Sequence, residues 1–286
     1  MHLTFATSPQ PGKACNEDLC GVVGDLVWVL DGASVPAGAP RCCDLDAGWY
    51  VARLSVALLD AFTTSPLQDF SEVLAHAIQT TADEHRSGCD HPGGDALAPS
   101  ATVALARRRA DALDYLVLGD AAVLLDMGDA VRLETDNRLA RIGADLRDRM
   151  RVGLAAGVGF DSPAHQKLMG ELVECERAAR NQPGGYWIAS HNPSAAFEAV
   201  QGTARIGQES GAVRRVALLT DGARRAVRPL GLYHSWDGLM RALVTEGPAR
   251  CIEAVRGAEA SDPDGRRFPR STSSDDATAL VWQLID

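Results

Sequence analysis

Leu26-Val27-Trp28-Val29-Leu30-Asp31-Gly32 sets five consecutive apolar residues, β-branched and aromatic types among them, ahead of an Asp-Gly pair. Such a run reads as a strand buried on both faces. A buried strand has no reason to end in a carboxylate unless the carboxylate is used. Gly32, lacking a Cβ, lets the backbone turn sharply and bring its own carbonyl close to whatever Asp31 holds. A metal ion is the candidate. The pattern returns as Val216-Ala217-Leu218-Leu219-Thr220-Asp221-Gly222, a second apolar run delivering a second Asp-Gly. One Asp-Gly commonly just closes a turn; two at the ends of buried runs are harder to attribute to turn chemistry.

The chain has 286 residues, 46% of them hydrophobic, enough for a sizeable core, and no apolar run approaches membrane-spanning length. The N-terminus lacks the basic, apolar and small-residue regions of a secretion signal, so a cytoplasmic protein is expected. The seven cysteines are odd in number and include no Cys-x-x-Cys pair, which points to a reducing compartment. Cys89-Asp90-His91, with His85 upstream, lacks a second ligand pair at usable spacing and reads as a polar loop, not a zinc site. A formal charge of −10 repels phosphate backbones and argues against nucleic acid. The same acidity suits a site of several carboxylates awaiting a cation.

Periodicity predicts helices over about 45–62 and 70–78, then a Gly/Pro/Asp-rich surface loop over 88–99. Strands follow at 101–107, 113–118 and 121–127, read as an antiparallel meander whose Gly119-Asp120 corner exposes a third carboxylate. Helices at 138–154 and 164–180 flank the glycine-rich 153–159, which lacks the Gly-Lys-Ser/Thr ending of a nucleotide-binding loop. Strands resume at 186–189, 204–208 and 213–219, helices at 239–244 and 249–258, and a last strand at 277–285. With no linker or repeat, this order predicts one domain over 1–286 with helices outside two stacked sheets.

The carboxylates then fall into a series: Asn16-Glu17-Asp18 before the first buried strands, Asp31-Gly32, Gly119-Asp120, Asp221-Gly222, and Asp275-Asp276 leading into the last strand. In order and context the series resembles the metal-dependent protein phosphatases of type 2C, the PPM family, from about Lys13 to Leu284. The resemblance implies an α+β fold, a four-layer α-β-β-α sandwich of two mainly antiparallel sheets flanked by helix pairs, with a two-ion Mg²⁺ or Mn²⁺ site at one end. Carried over by position, it implies that Asp31 bridges the ions and the Gly32 carbonyl binds one of them. Glu17, Asp221 and Asp275 would ligate the other, Asp18 would hold metal-bound water, and Asp120 would serve a weaker third ion. Oxygen-only ligation suits such hard cations. The implied reaction is in-line attack of a metal-bridging hydroxide on phosphorus, with no phosphoenzyme.

Three departures bear on the substrate side. Where many members read Asp-Gly-His-Gly-Gly, this chain reads Asp31-Gly32-Ala33-Ser34-Val35, losing the histidine that would protonate the leaving group, a loss on the order of 10²-fold for an alkoxide. Lys13 stands in place of a phosphate-clamping arginine, and Ala121-Ala122 replace the usual Ser-Arg. The expected function is a protein serine/threonine phosphatase acting on phosphoproteins as a monomer, without membrane association. A phosphatase of a small phosphorylated metabolite and a catalytically weak partner-binding module are the alternatives.

Overall fold

The computed structural model describes residues 2–33, 42–89 and 97–285. The run ending in Asp31-Gly32 is strand β3 (Leu26–Gly32), and its two faces explain its composition. Leu26, Trp28 and Leu30 pack beneath helices, while Val27 and Val29 face a second sheet. One five-stranded sheet runs β2 (Asp18–Val23), β3, β4 (Ala101–Arg109), β5 (Ala112–Leu118), β8 (Val200–Arg205). The other runs β1 (His2–Ser8), β10 (Ala277–Gln283), β9 (Arg215–Leu219), β6 (Ala122–Asp126), β7 (Val131–Thr135). Neighbouring strands are antiparallel throughout both sheets.

Between the sheets Val117, Val123, Leu218, Leu280 and Trp282 form a dry interior. Helices α1 (Ala47–Thr64) and α2 (Phe70–Gly88) cover the first sheet through Tyr50, Leu54, Leu58, Leu74 and Ile78. Each begins at an aspartate whose side chain accepts an otherwise unpaired backbone N–H, Asp46 from Trp49 (2.9 Å) and Asp69 from Ser71 (2.8 Å). Helices α7 (Trp236–Thr245) and α8 (Pro248–Ser261) cover the second sheet through Leu239, Leu243, Ile252 and Val255. The architecture is the expected four-layer α-β-β-α sandwich.

Several elements differ from the sequence expectation, each for a physical reason. Helix α2 runs ten residues past Ile78 to Gly88, because Thr81, Ala82 and His85 prolong its buried face and the Thr81 hydroxyl donates to the Ala77 carbonyl (2.9 Å). The strands over 101–127 are not one meander: β5 and β6 lie in different sheets, and the Gly119-Asp120 corner carries the chain between them. Edge strand β7 is mostly half-exposed and carries Arg132 and Glu134, so it has little apolar signal. The predicted helix 138–154 breaks at Ile142-Gly143 into α3 (Arg138–Arg141) and α4 (Ala144–Ala155), with Gly143 at φ 61°. Residues 186–189 make only isolated bridges, Ala189 to Ala101 and Tyr186 to Arg180. Strand β8 lies at 200–205, earlier than the predicted 204–208. Of the predicted surface loop 88–99, residues 90–96 lie outside the described residues, while Ala98 and Pro99 are buried.

Helices α4 and α5 (Pro163–Ala179) do not cover a sheet. They pack on each other through Leu146, Met150 and Leu172 as a satellite cluster, and they stand at the rim of the main cavity.

Candidate metal centre

The cavity, about 1160 Å³, opens at the end of the sandwich where β3 and β9 terminate. Strand β3 delivers Asp31, and the β2–β3 register sets Asp18 directly across from it. The Gly32 N–H donates to the Glu17 carbonyl (3.0 Å), and a Cβ on Gly32 would come within 2.9 Å of that oxygen, so this crossing requires glycine. From the other sheet, β9 ends at Leu219, the buried Thr220 follows, and Asp221 opens the short helix α6 (Asp221–Arg224). The Asp221 N–H points to Asp31 Oδ2 at 3.5 Å, so the two Asp-Gly pairs found in the sequence face each other across the layers.

Asp31, Gly32, Asp120, Asp221 and Asp275 all line this cavity, as do Lys13 and Ala33. Removal from bulk water pushes the Asp31 carboxyl well up, and the charges of Asp18, Asp221, Asp275 and Asp120 push it further. Burial likewise raises Asp18 to about 8, with Asp221 and Asp276 adding to it against the hydroxyls of Thr220 and Thr278. Asp275 rises to about 7 by burial and the Asp221 charge, partly offset by Arg225. Asp120 rises to about 6 by burial and Asp221, offset by Arg224. Asp31, Asp120, Asp221 and Asp275 in the bowl, with Asp18 buried across from Asp31 but outside the cavity lining, therefore crowd acidic groups into a poorly solvated space, an arrangement that a divalent cation would relieve.

Two observations test the fit to a divalent ion. The donor set is entirely oxygen, as Mg²⁺ and Mn²⁺ require. Asp18 Oδ2 accepts from the Thr220 hydroxyl (2.8 Å), but Oδ1 is buried with no hydrogen-bond partner, an acceptor prepared for a group the protein does not itself supply. The acids line the bowl without closing it: no three of them bring ligand oxygens within 4.8 Å of one another.

Glu17 and Lys13 stand differently from the other candidates. The Glu17 carboxylate lies outside the cavity lining and accepts from Lys13 Nζ at 2.6 Å. The same ammonium reaches Asp276 Oδ2 at 3.2 Å, so Lys13 sits at the cavity wall bound to two carboxylates. Ser34 and Val35 lie outside the described residues.

Sequence reasoning missed the division of labour in Asp275-Asp276. Asp276 points away from the bowl and accepts backbone N–H groups from Gln10 (2.7 Å) and Glu17 (2.9 Å), pinning the segment that carries Lys13 and Glu17. Arg225 was also missed: buried, it donates to Asp275 Oδ2 (2.9 Å), Thr272 Oγ1 (2.7 Å) and Glu259 Oε1 (3.1 Å), which fixes Asp275. Arg147, Arg151, Arg180, Arg224 and Arg228 form a further wall of the same cavity, Arg147 paired with Glu176 and Arg224 donating to the Asp120 carbonyl. These arginines come from stretches far apart along the sequence, and only the fold turns them toward one space.

No protein-family model and no curated protein matches this sequence. Solved structures do match in fold. The catalytic domain of the serine/threonine protein phosphatase PstP in complex with two manganese ions superposes with a TM-score of 0.56 at 13% identity, over 100% of this chain and 98% of that one. The PPM Ser-Thr phosphatase MsPP from Mycobacterium smegmatis, in complex with cacodylate, gives 0.53 at 16% identity over 99% and 98%. The serine/threonine phosphatase Stp1 from Staphylococcus aureus gives 0.57 at 11% identity over 99% and 95%. The fold is that of PPM-type phosphatases along its whole length.

Proposed function

We propose that this chain, as one unit over 1–286, is a Mg²⁺- or Mn²⁺-dependent phosphomonoester hydrolase, and foremost a protein serine/threonine phosphatase. The observation that carries the reading is the meeting of Asp31 and Asp221 at the mouth of the sandwich, within one bowl of mutually repelling acids. Similarity of fold to phosphatases, one of them holding manganese, adds support.

Asp31, the Gly32 carbonyl, Asp221 and Asp275 are the groups that would hold two ions, with Asp120 available to a weaker third, and Glu17 would join them on giving up its ion pair with Lys13. Bound cations would supply a water of lowered pKa and screen the charge of an approaching phosphate. Around that chemistry the residues have separate tasks. Asp18, whose Oδ1 has no hydrogen-bond partner while its other oxygen is held by Thr220, would hold a water at the ions from just behind the cavity lining. Arg225 keeps Asp275 aimed into the bowl. Lys13 meets phosphate as a point charge by exchanging one of its carboxylate partners for it, without the two-pronged grip of arginine. Ala33 supplies no proton to a leaving alkoxide. Esters with acidic leaving groups, which need no such proton, are therefore the better substrates.

The arginine wall favours a second reading, a small phosphorylated metabolite carrying several negative charges, since its guanidinium groups line the same space as the acids. The test is hydrolysis of p-nitrophenyl phosphate, phosphoserine and phosphothreonine peptides and a panel of phosphorylated metabolites, titrated with Mn²⁺ and Mg²⁺ and then with chelator. Metal-dependent turnover of peptides supports the first reading. Turnover confined to metabolites supports the second. No turnover with any metal overturns both and leaves the partner-binding alternative.

A further inference from the structure

A second cluster lies away from the acidic bowl. Among the described residues, Cys42, Cys43, His85 and Cys89 are the one set of histidine, cysteine or acidic side chains whose ligand atoms all lie within 4.8 Å of one another. The sequence disguises it, because the cysteine pair precedes α1 and the other two residues end α2, with the whole α1–α2 hairpin between them. Asp90 and His91, considered with Cys89 in the sequence, lie outside the described residues.

The spacing of the cluster is that of a coordination shell. Cys42 Sγ and Cys43 Sγ are 3.8 Å apart, and His85 Nε2 lies 3.7 Å from the first and 3.3 Å from the second. Zinc–sulfur bonds of about 2.3 Å and zinc–nitrogen bonds of about 2.0–2.1 Å at tetrahedral angles put sulfurs about 3.8 Å apart and sulfur about 3.6 Å from nitrogen. A disulfide needs sulfurs at about 2.05 Å, and none of the three cysteines is in a disulfide.

The surroundings fit as well. His85 turns Nε2 toward the thiols and Nδ1 toward His191 Nε2 at 2.9 Å. A histidine that ligates through Nε2 carries its proton on Nδ1 and donates it to a fixed acceptor, here His191, which is buried in turn. The Trp49 ring tilts against His85 at 5.7 Å between centroids and closes one side.

We propose that Cys42, Cys43, His85 and Cys89 form a second metal site, a closed Cys₃His centre that takes one Zn²⁺. Three thiols and one imidazole are too soft for Mg²⁺ or Mn²⁺, so the two centres do not compete for the same ions. Four protein ligands leave no open position, which makes the site structural. It ties Cys42 and Cys43, just ahead of α1, to the far end of α2. The site does not depend on the phosphatase reading and stands or falls separately.

Titration of the reduced full-length protein with Co²⁺ tests it. The result expected is one equivalent bound tightly, with thiolate-to-cobalt charge-transfer absorption and the intense ligand-field bands of a tetrahedral ion, both displaced by Zn²⁺. An oxygen-ligated centre cannot produce the charge-transfer band. Cys43→Ser and Cys89→Ser should each weaken binding by more than about 100-fold, and His191→Ala by about 10- to 100-fold. Asp31→Asn and Cys175→Ser should leave the spectrum unchanged. Absence of a charge-transfer band in reduced wild-type protein, or its survival in both Cys43→Ser and Cys89→Ser, overturns the proposal, and the wild-type titration decides even where a variant fails to fold.

Discussion

Replacing Asp31 by asparagine removes a carboxyl whose pKa is raised by burial and by the charges of Asp18, Asp221, Asp275 and Asp120. Mn²⁺-dependent hydrolysis of p-nitrophenyl phosphate should fall by more than about 100-fold in initial-rate assays. In chelator the same variant should melt above the wild type near neutral pH, because the amide removes repulsion that no cation is present to relieve; an unchanged or lower midpoint would contradict the crowding. Lys13 carries the opposite logic. Burial lowers its pKa, but Glu17 and Asp276 more than reverse this and hold the ammonium charged. Lys13→Ala takes that ammonium from two largely buried carboxylates. Charge-assisted bonds are worth about 1.5–3 kcal/mol each, and since Lys13 is a quarter exposed a total loss of about 1–2 kcal/mol by denaturant titration is expected. Ala33→His should restore a proton donor and raise turnover of phosphoserine peptides relative to p-nitrophenyl phosphate by up to about 100-fold. An equal change for both substrates would show that leaving-group protonation does not limit the reaction.

At the scale of elements, the short helix α6 joins the second Asp-Gly to the last strand. A Cβ on Gly222 would lie 1.9 Å from the Asp276 carbonyl oxygen, so Gly222→Ala must push α6 away from the start of β10 and shift Asp221 relative to Asp275. Loss of both stability and metal affinity is expected, read by calorimetry with and without Mn²⁺. Gly257→Ala is the control: it lies in α8, where a Cβ meets nothing within 4 Å, and should stabilise by about 0.5–1 kcal/mol. Elements were legible in the sequence where burial imposed a period, as in β3, β9, α1 and α8. They were illegible where context decided the outcome: β7 is a polar edge, Tyr186 to Ala189 form bridges only, and the β5-to-β6 crossover depends on which sheet each strand joins. The acids were readable because each flanks an apolar run, Asp31, Asp120 and Asp221 at the end of one and Glu17, Asp18 and Asp275 at the start. The thiol cluster was not, since a packed helix hairpin alone brings Cys42 and Cys43 to His85 and Cys89.

For the whole molecule, the acidic mouth sets how stability varies with pH. A carboxyl whose folded-state pKa is raised binds its proton more tightly when folded, so its contribution is present below the ordinary value and lost as pH climbs through the folded one. With Asp120 at about 6, Asp275 at about 7 and Asp18 at about 8, against an ordinary 3.8, metal-free protein should lose thermal stability steadily from about pH 4 to about pH 8. Mn²⁺ or Mg²⁺ should restore it, by about 2.7 kcal/mol at a hundredfold excess over Kd. A midpoint indifferent to both pH and metal would mean that the acids do not act together. The register of β1 against β10 carries a different implication. Ser8 pairs with Ala277 beside the mouth and His2 pairs with Gln283 at the opposite end, so β1 and β10 reach their outer ends side by side. At about 3.4 Å per residue that is roughly 20 Å from the acids. A fluorophore or affinity handle placed at the outer end of β1 or of β10 would thus project from the back of the sandwich and leave the acidic opening unobstructed. Two dyes, one at each extremity, would report on the integrity of a single edge pairing.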